Sequence, residues 1–240
     1  MKNIIIMLIS FVAMVIVNDL ANTGLLNRQR TADISNKLHV LFTPDGYVFT
    51  IWGFIYILLA IWLFLQFKNQ ERYETPQQIV NLFVASCLLN ILWLVTWHYE
   101  FFVIAQITMF MLLFILILLY KNYDIDNDRF GGRLPFSIYL GWISVATIAN
   151  MAYTLKYFNV SLGISEVTGT IGLIVVAGAL AIVGRYKSND PYFAMVFVWA
   201  IVGIAVANSE GTIVKTAYTV AIIVFIAIIA FFLFNNRKMN

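Results

Sequence analysis

Charge is what this chain has least of. Asp, Glu, Lys and Arg make up 11% of its 240 residues, against about 25% in soluble domains. Cysteine occurs once, as Cys87. That excludes an intrachain disulfide and a thiolate metal cluster, and its place inside an apolar run reads as a small buried apolar residue. The two histidines, His39 and His98, have no neighbours in sequence that complete a metal set. HExxH, P-loop and dinucleotide fingerprints are absent, as is any supported Ser-His-Asp arrangement. The net charge of +3 is not gathered into a basic stripe, so nucleic acid is not an expected partner. No long soluble domain exists, and the longest polar segment is 25–46.

What is present is apolar: 62% of the residues are hydrophobic. They fall into eight runs, roughly 3–24, 47–67, 78–97, 101–120, 134–155, 164–184, 191–208 and 213–235. A hydrocarbon core about 30 Å thick takes about 20 helical residues to cross. Backbone polar groups in lipid must pair within the segment, so the runs predict helices. The short alternating segments of a membrane barrel are missing. The expected fold is an all-α polytopic helical bundle in a lipid bilayer. The first run follows Lys2 as a leader would, but it continues into Asn18, Asp19 and Asn22 without a convincing cleavage site, so a retained helix is expected.

With eight spans, one side carries Lys2, Lys68, Arg72, Lys121, Arg129, Arg133, Arg185, Lys187, Arg237 and Lys238. The other carries Arg28, Arg30, Lys37, Lys156 and Lys215. The excess predicts cytoplasmic termini at both ends, and a bacterial cell membrane is the expected location.

Between the first two runs, 25–46 mixes Thr31, Asp33 and Lys37 with the apolar Val40–Phe42, as a segment folded over a bundle would. The link at His98–Glu100 is short enough to force a hairpin. The sixth run is smooth, with Gly169, Gly172, Ala177, Gly178, Ala181 and Gly184, which predicts close helix packing or a subunit contact. A homodimer is therefore kept as a candidate partnership. Pro44, Pro135 and Pro191 each precede a tryptophan by seven or eight positions. This is a faint internal echo that helix starts also explain.

Three aromatic–polar faces stand out. Phe49, Trp52 and Tyr56 lie at i, i+3 and i+7 after a break at Pro44 and Gly46, and Asn90, Trp93 and Trp97 repeat that spacing. Tyr139 and Trp142 share a face with Ala146 and Asn150. An asparagine in a span needs hydrogen-bond partners. Asn90 and Asn150 therefore either join helices or line a polar pocket, and the aromatics either form interface belts or wall a site for a planar ligand.

The stretch FTPDGYVFTIWGFIYILLAIWLF resembles the W-x-P-P-x-W-x-F-x-x-V-W-x-x-L-Y signature of the tryptophan-rich sensory protein (TspO/MBR) family, which includes the mitochondrial translocator proteins, or peripheral-type benzodiazepine receptors. LLNILWLVTW is similar to its L-N-x-x-W motif, and LPFSIYLGWISVATIAN to its L-P-Y-x-x-W-x-x-F-A-x-x-L-N motif. The resemblance covers about 1–155, the five spans of the family's fold, and leaves 156–240 as a three-helix extension. Asp45-Gly46-Tyr47 and Phe136 depart from the pattern. The resemblance implies a receptor or carrier for a small hydrophobic planar ligand, tetrapyrrole- or sterol-like, bound by Phe49, Trp52, Tyr56, Asn90, Trp93, Tyr139, Trp142 and Asn150 under the 25–46 segment. It requires no cofactor, with a porphyrin or haem as candidate ligand and no need for an iron-ligating side chain. A sterol-contact pattern can also be drawn around Tyr123 and Arg129.

Asp19 and Glu166 are the acids nearest the membrane interior, both close to span ends. Either one facing a cavity would favour the alternative of a proton-coupled secondary transporter. A non-catalytic assembly protein is the other alternative. An enzyme acting on a bound pigment finds no acid–base pair in the sequence to support it.

Overall fold

All four prolines stand at or just before a helix start, where a missing N–H costs nothing. They punctuate a computed structural model that describes residues 2–70, 74–123, 130–160 and 163–237, with side chains through Leu233. Nine α-helices and no strands occur among the described residues: α1 (Lys2–Asn22), α2 (Thr31–Asn36), α3 (Ile51–Asn69), α4 (Gln77–His98), α5 (Phe102–Tyr120), α6 (Leu134–Tyr157), α7 (Glu166–Ser188), α8 (Pro191–Ala207) and α9 (Gly211–Arg237). A 3-10 turn, Gly46–Thr50, leads directly into α3. Pro44 lies two residues before that turn, and the Asp45 side chain caps it by accepting from the Tyr47 amide at 3.2 Å. Pro76 is the N-cap of α4, Pro135 lies in the first turn of α6 and Pro191 opens α8.

Seven helices are long and apolar enough to cross a bilayer, counting the 3-10 turn with α3. The eighth expected span, α8, is a 17-residue apolar helix. At 1.5 Å per residue it reaches about 25 Å, the lower end of the spanning range. Arg72, Arg129 and Lys238, three of the charges used to orient the chain, lie outside the described residues, as does half of the Tyr123–Arg129 sterol pattern.

Helices α1, α3, α6, α5 and α4 contact one another in that order and close into a ring, α4 returning to α1. The hairpin between α4 and α5 turns through Glu100, whose φ of 61° is left-handed. Outside the ring, α8 packs on α6 and on the 3-10 turn, while α7 and α9 pack on α8 and on each other. The expected burial of the smooth helix α7 is realised along one stripe only: Thr170, Ile174, Ala177, Gly178, Ala181 and Arg185. A Cβ at Gly178 would lie 2.4 Å from Val220 Cγ1, and one at Gly184 would lie 2.5 Å from Phe193 Cε1. Val175, Val176, Leu180 and Val183, off that stripe, are exposed. The close approaches need only one face of the helix.

The 25–46 segment folds over one end of the ring. Ile34 and Phe42 bury their side chains beneath it, and Tyr153 of α6 donates to the Ile34 carbonyl at 2.8 Å. The fully buried His98, at the end of α4, is its chief anchor. His98 Nδ1 lies 3.1 Å from the Leu26 carbonyl, an acceptor only, so it carries the proton. Nε2 faces the Thr31 hydroxyl at 3.0 Å. The His98 carbonyl accepts from Asn27 and Gln29.

At the opposite end, Asp190 holds the outer helices to the ring. It accepts from Tyr120 (2.7 Å) and Ser137 (2.6 Å), and from the amides of Tyr192 and Phe193. Arg133 pairs with it at 3.8 Å and also donates to the Tyr120 hydroxyl. Asp190 is thus the N-cap of α8 and an ionic tie to α5 and α6 at once.

Candidate functional site

The three aromatic faces turn toward one another at the capped end. Trp52 of α3 stands at the centre. It stacks on Tyr56 (5.7 Å between ring centroids) and on Trp93 of α4 (6.2 Å), and meets Tyr139 and Trp142 of α6 edge-on at 6.0 and 6.2 Å. Phe49 closes against Trp142 at 5.7 Å. Offset and edge-to-face pairs each add roughly 0.5–1.5 kcal/mol beyond the area they bury.

Beside this cluster is a hollow holding about 60 Å³ of free space. Phe49, Trp52, Trp93, Trp142 and Asn150, named above for the ligand wall, line it. Trp97, Tyr153 and Ala146 complete the walls, and Thr31, Ser35 and Thr43 of the cap form its roof. A groove of about 500 Å³ adjoins it between α1 and α3. The two spaces share Thr31, Phe49, Trp52 and Trp93, and Tyr56 lines the groove alone. The groove is open at Gly53 of α3, where a Cβ would meet nothing within 4 Å.

Asn90 and Tyr139, also expected in the ligand wall, line neither space. Asn90 instead accepts from Asn18 of α1 at 2.9 Å and donates to the Tyr139 hydroxyl at 3.1 Å. The amide is used up in joining α1, α4 and α6, because a buried amide without partners costs more than one bonded across helices. Asn150 does both jobs. It lines the hollow, accepts from Trp93 Nε1 at 3.1 Å and donates to Gln106 of α5 at 2.7 Å.

The indole N–H groups of Trp97 and Trp142 are buried without partners, although both rings line the hollow. These residues are 5% and 2% exposed. The Tyr56 hydroxyl, on the groove side, is also buried and unpaired. An unbonded donor in a dry wall costs about 1–3 kcal/mol. Burial alone does not make such a donor a ligand contact, however. Trp62, ten residues along α3 from Trp52, has an unpaired N–H in solid packing against Phe83 and Phe136.

Tyr153, Thr31 and Ser35 were missed in the sequence. Tyr153 lies three residues beyond Asn150, so the i, i+3 rule that grouped Tyr139 with Trp142 would have reached it. Thr31 and Ser35 belong to the short helix α2, which no apolar periodicity announces. Asp19, in the last turn of α1, lines the groove, whereas Glu166 is exposed and paired with Lys156 at 2.6 Å. Among the described residues no three His, Cys, Asp or Glu side chains come together as a metal-binding group.

No curated protein and no solved structure matches the chain. A family model described as TSPO-like protein matches residues 4–231, which takes in both the five-helix ring and the outer helices. The match runs through all three aromatic faces and most of α9, and on that extent the chain belongs to the TSPO-like protein family.

Proposed function

We propose that the protein is a membrane receptor or carrier for a small, flat, hydrophobic ligand held between α3, α4 and α6 beneath the cap. The observation that carries this reading is the hollow itself: aromatic rings from three helices meet at one space, and two of them, Trp97 and Trp142, have indole N–H groups buried without partners. Rings supply flat dispersion surface, and the few polar groups set orientation. Ligand pockets usually measure about 300–1,000 Å³, so the hollow alone is too small. A ligand of that size would extend past Trp52 into the groove. Tetrapyrrole- and sterol-like molecules are the candidate classes. Neither space is lined by histidine or cysteine, so a haem would be held by stacking.

The test is saturable binding of a flat probe to the purified chain in lipid nanodiscs. Trp142→Ala and Trp52→Ala should each weaken it about tenfold, the scale of losing a large aromatic contact at the heart of a site. Unchanged affinity in both variants would remove the pocket from consideration. In this reading both termini face the cytoplasm, supported by the ten-to-five distribution of basic residues, and accessibility labelling at Lys2 checks it.

A proton-coupled carrier is the second reading, favoured by Asp19 on the groove wall. Uptake into proteoliposomes that ignores both an imposed pH gradient and Asp19→Asn would eliminate it.

A further inference from the structure

Among the described residues, the groove and the hollow together are lined by one charged side chain, Asp19, and by no lysine, arginine or histidine. The nearby charges of the cap are turned to other uses. Lys37 pairs with Glu100, and Asp33 accepts from the Arg30 backbone amide. Arg28 and Arg30 are exposed and line neither space. The Asp19 carboxylate itself has no hydrogen bond or ion pair among the described residues.

Its place in the helix sharpens the point. Asp19 sits in the last turn of α1, where the helix dipole is already negative, and no basic residue stands there to offset it. An acid at that end is unfavourable by roughly 0.3–1 kcal/mol. Asp19, an exposed residue, shares the groove's lining with Trp52, Tyr56 and Trp93, and Trp52 is stacked on both others. Aromatic faces carry negative π density and attract cations. The carboxylate and the helix end therefore both favour positive charge in a space lined by aromatic rings.

We propose that the groove selects flat amphiphiles bearing a positive charge, with the ring system against Trp52 and its stacked neighbours and the cationic centre at Asp19, and that it discriminates against carboxylate-bearing ligands. This rests on the receptor-or-carrier reading and names the charge class of its ligand. A porphyrin with free carboxylates would bring like charge to Asp19 and find no cation in the wall.

The probes are three anthracenes that differ only in charge: 9-anthrylmethyl-trimethylammonium, 9-methylanthracene and 9-anthracenecarboxylate. The full chain is placed in phosphatidylcholine nanodiscs, whose zwitterionic surface imposes no sign, with empty discs as the partition control. Binding is followed by quenching of tryptophan fluorescence. The cation should bind about tenfold more tightly than the anion. Asp19→Asn should weaken the cation about five- to tenfold while leaving the neutral ring within twofold, and Asp19→Glu should restore the preference. Neutral and charged rings binding alike in the unaltered protein, or cation affinity indifferent to Asp19→Asn, would overturn the proposal and leave the receptor reading standing. Absence of binding by all three probes would overturn both.

Discussion

Helix α6 passes through two environments, one built around a buried carboxylate and one around free volume. Near its start, Arg133 and Ser137 join a cluster in which Asp190 accepts four hydrogen bonds and an ion pair. Further along, Trp142 and Asn150 line a hollow, and the Trp142 indole N–H is buried without a partner. The first end ties the outer helices to the ring. The second gathers aromatic rings around free volume. Trp52 and Trp62 repeat the contrast on α3, one beside free volume and the other jammed between Phe83 and Phe136. Unpaired donors occur at both ends, so the difference lies in the cavity and not in the residue type.

The comparison breaks most readily at Asp190. Asp190→Ala leaves Arg133 without its carboxylate and α8 without its cap, which should destabilise the fold by about 3–5 kcal/mol. Thermal unfolding in detergent should show a large drop in midpoint, while the folded fraction binds the flat probe within twofold of the unaltered protein. Loss of probe binding in that folded fraction would mean that the two ends are not independent.

Gly203→Ala tests a close approach of the outer helices to the capped end. A Cβ at Gly203 would lie 2.2 Å from Val48 Cγ2 and 3.2 Å from Pro44 Cβ, and its carbonyl accepts from the Asp45 amide. The 3-10 turn carrying Phe49 must shift, at a cost of roughly 1–3 kcal/mol. Probe affinity should change along with stability, unlike the result at Asp190, and unchanged affinity would show that the turn does not shape the hollow.

The smallest effect is expected at Asn90. Asn90→Leu removes the bonds to Asn18 and Tyr139. Bonds between membrane helices average about 0.6 kcal/mol, so the midpoint should fall only slightly and probe affinity should stay within twofold. A tenfold loss of affinity would return Asn90 to the ligand wall.

Much of the fold could be read from local pattern. Runs of about 20 apolar residues require helices in lipid, and proline at positions 44, 76, 135 and 191 marks where helices start, since both are properties of a single segment. The 17 residues of α8 strained that length rule because α8 packs against α6 and the 3-10 turn as well as bordering the other outer helices. The echo of proline followed by tryptophan dissolves into two different roles. Trp52 and Trp142 wall the hollow, while Trp199 donates to the Val48 carbonyl at 3.2 Å and pins α8 to the turn.

By itself, then, the sequence determined that this chain lives in a bilayer as a helical bundle and that aromatic residues gather on single faces of three helices. Helical periodicity says which side chains share a face, and no more. The tertiary structure decided what each face meets: Asn90 finds Asn18 and Tyr139, Asn150 finds free space as well as Gln106, and Asp19 finds a groove walled by rings. Those outcomes depend on helix order and rotation in the ring, which are set by packing among segments as far apart in the chain as Trp52 and Trp142.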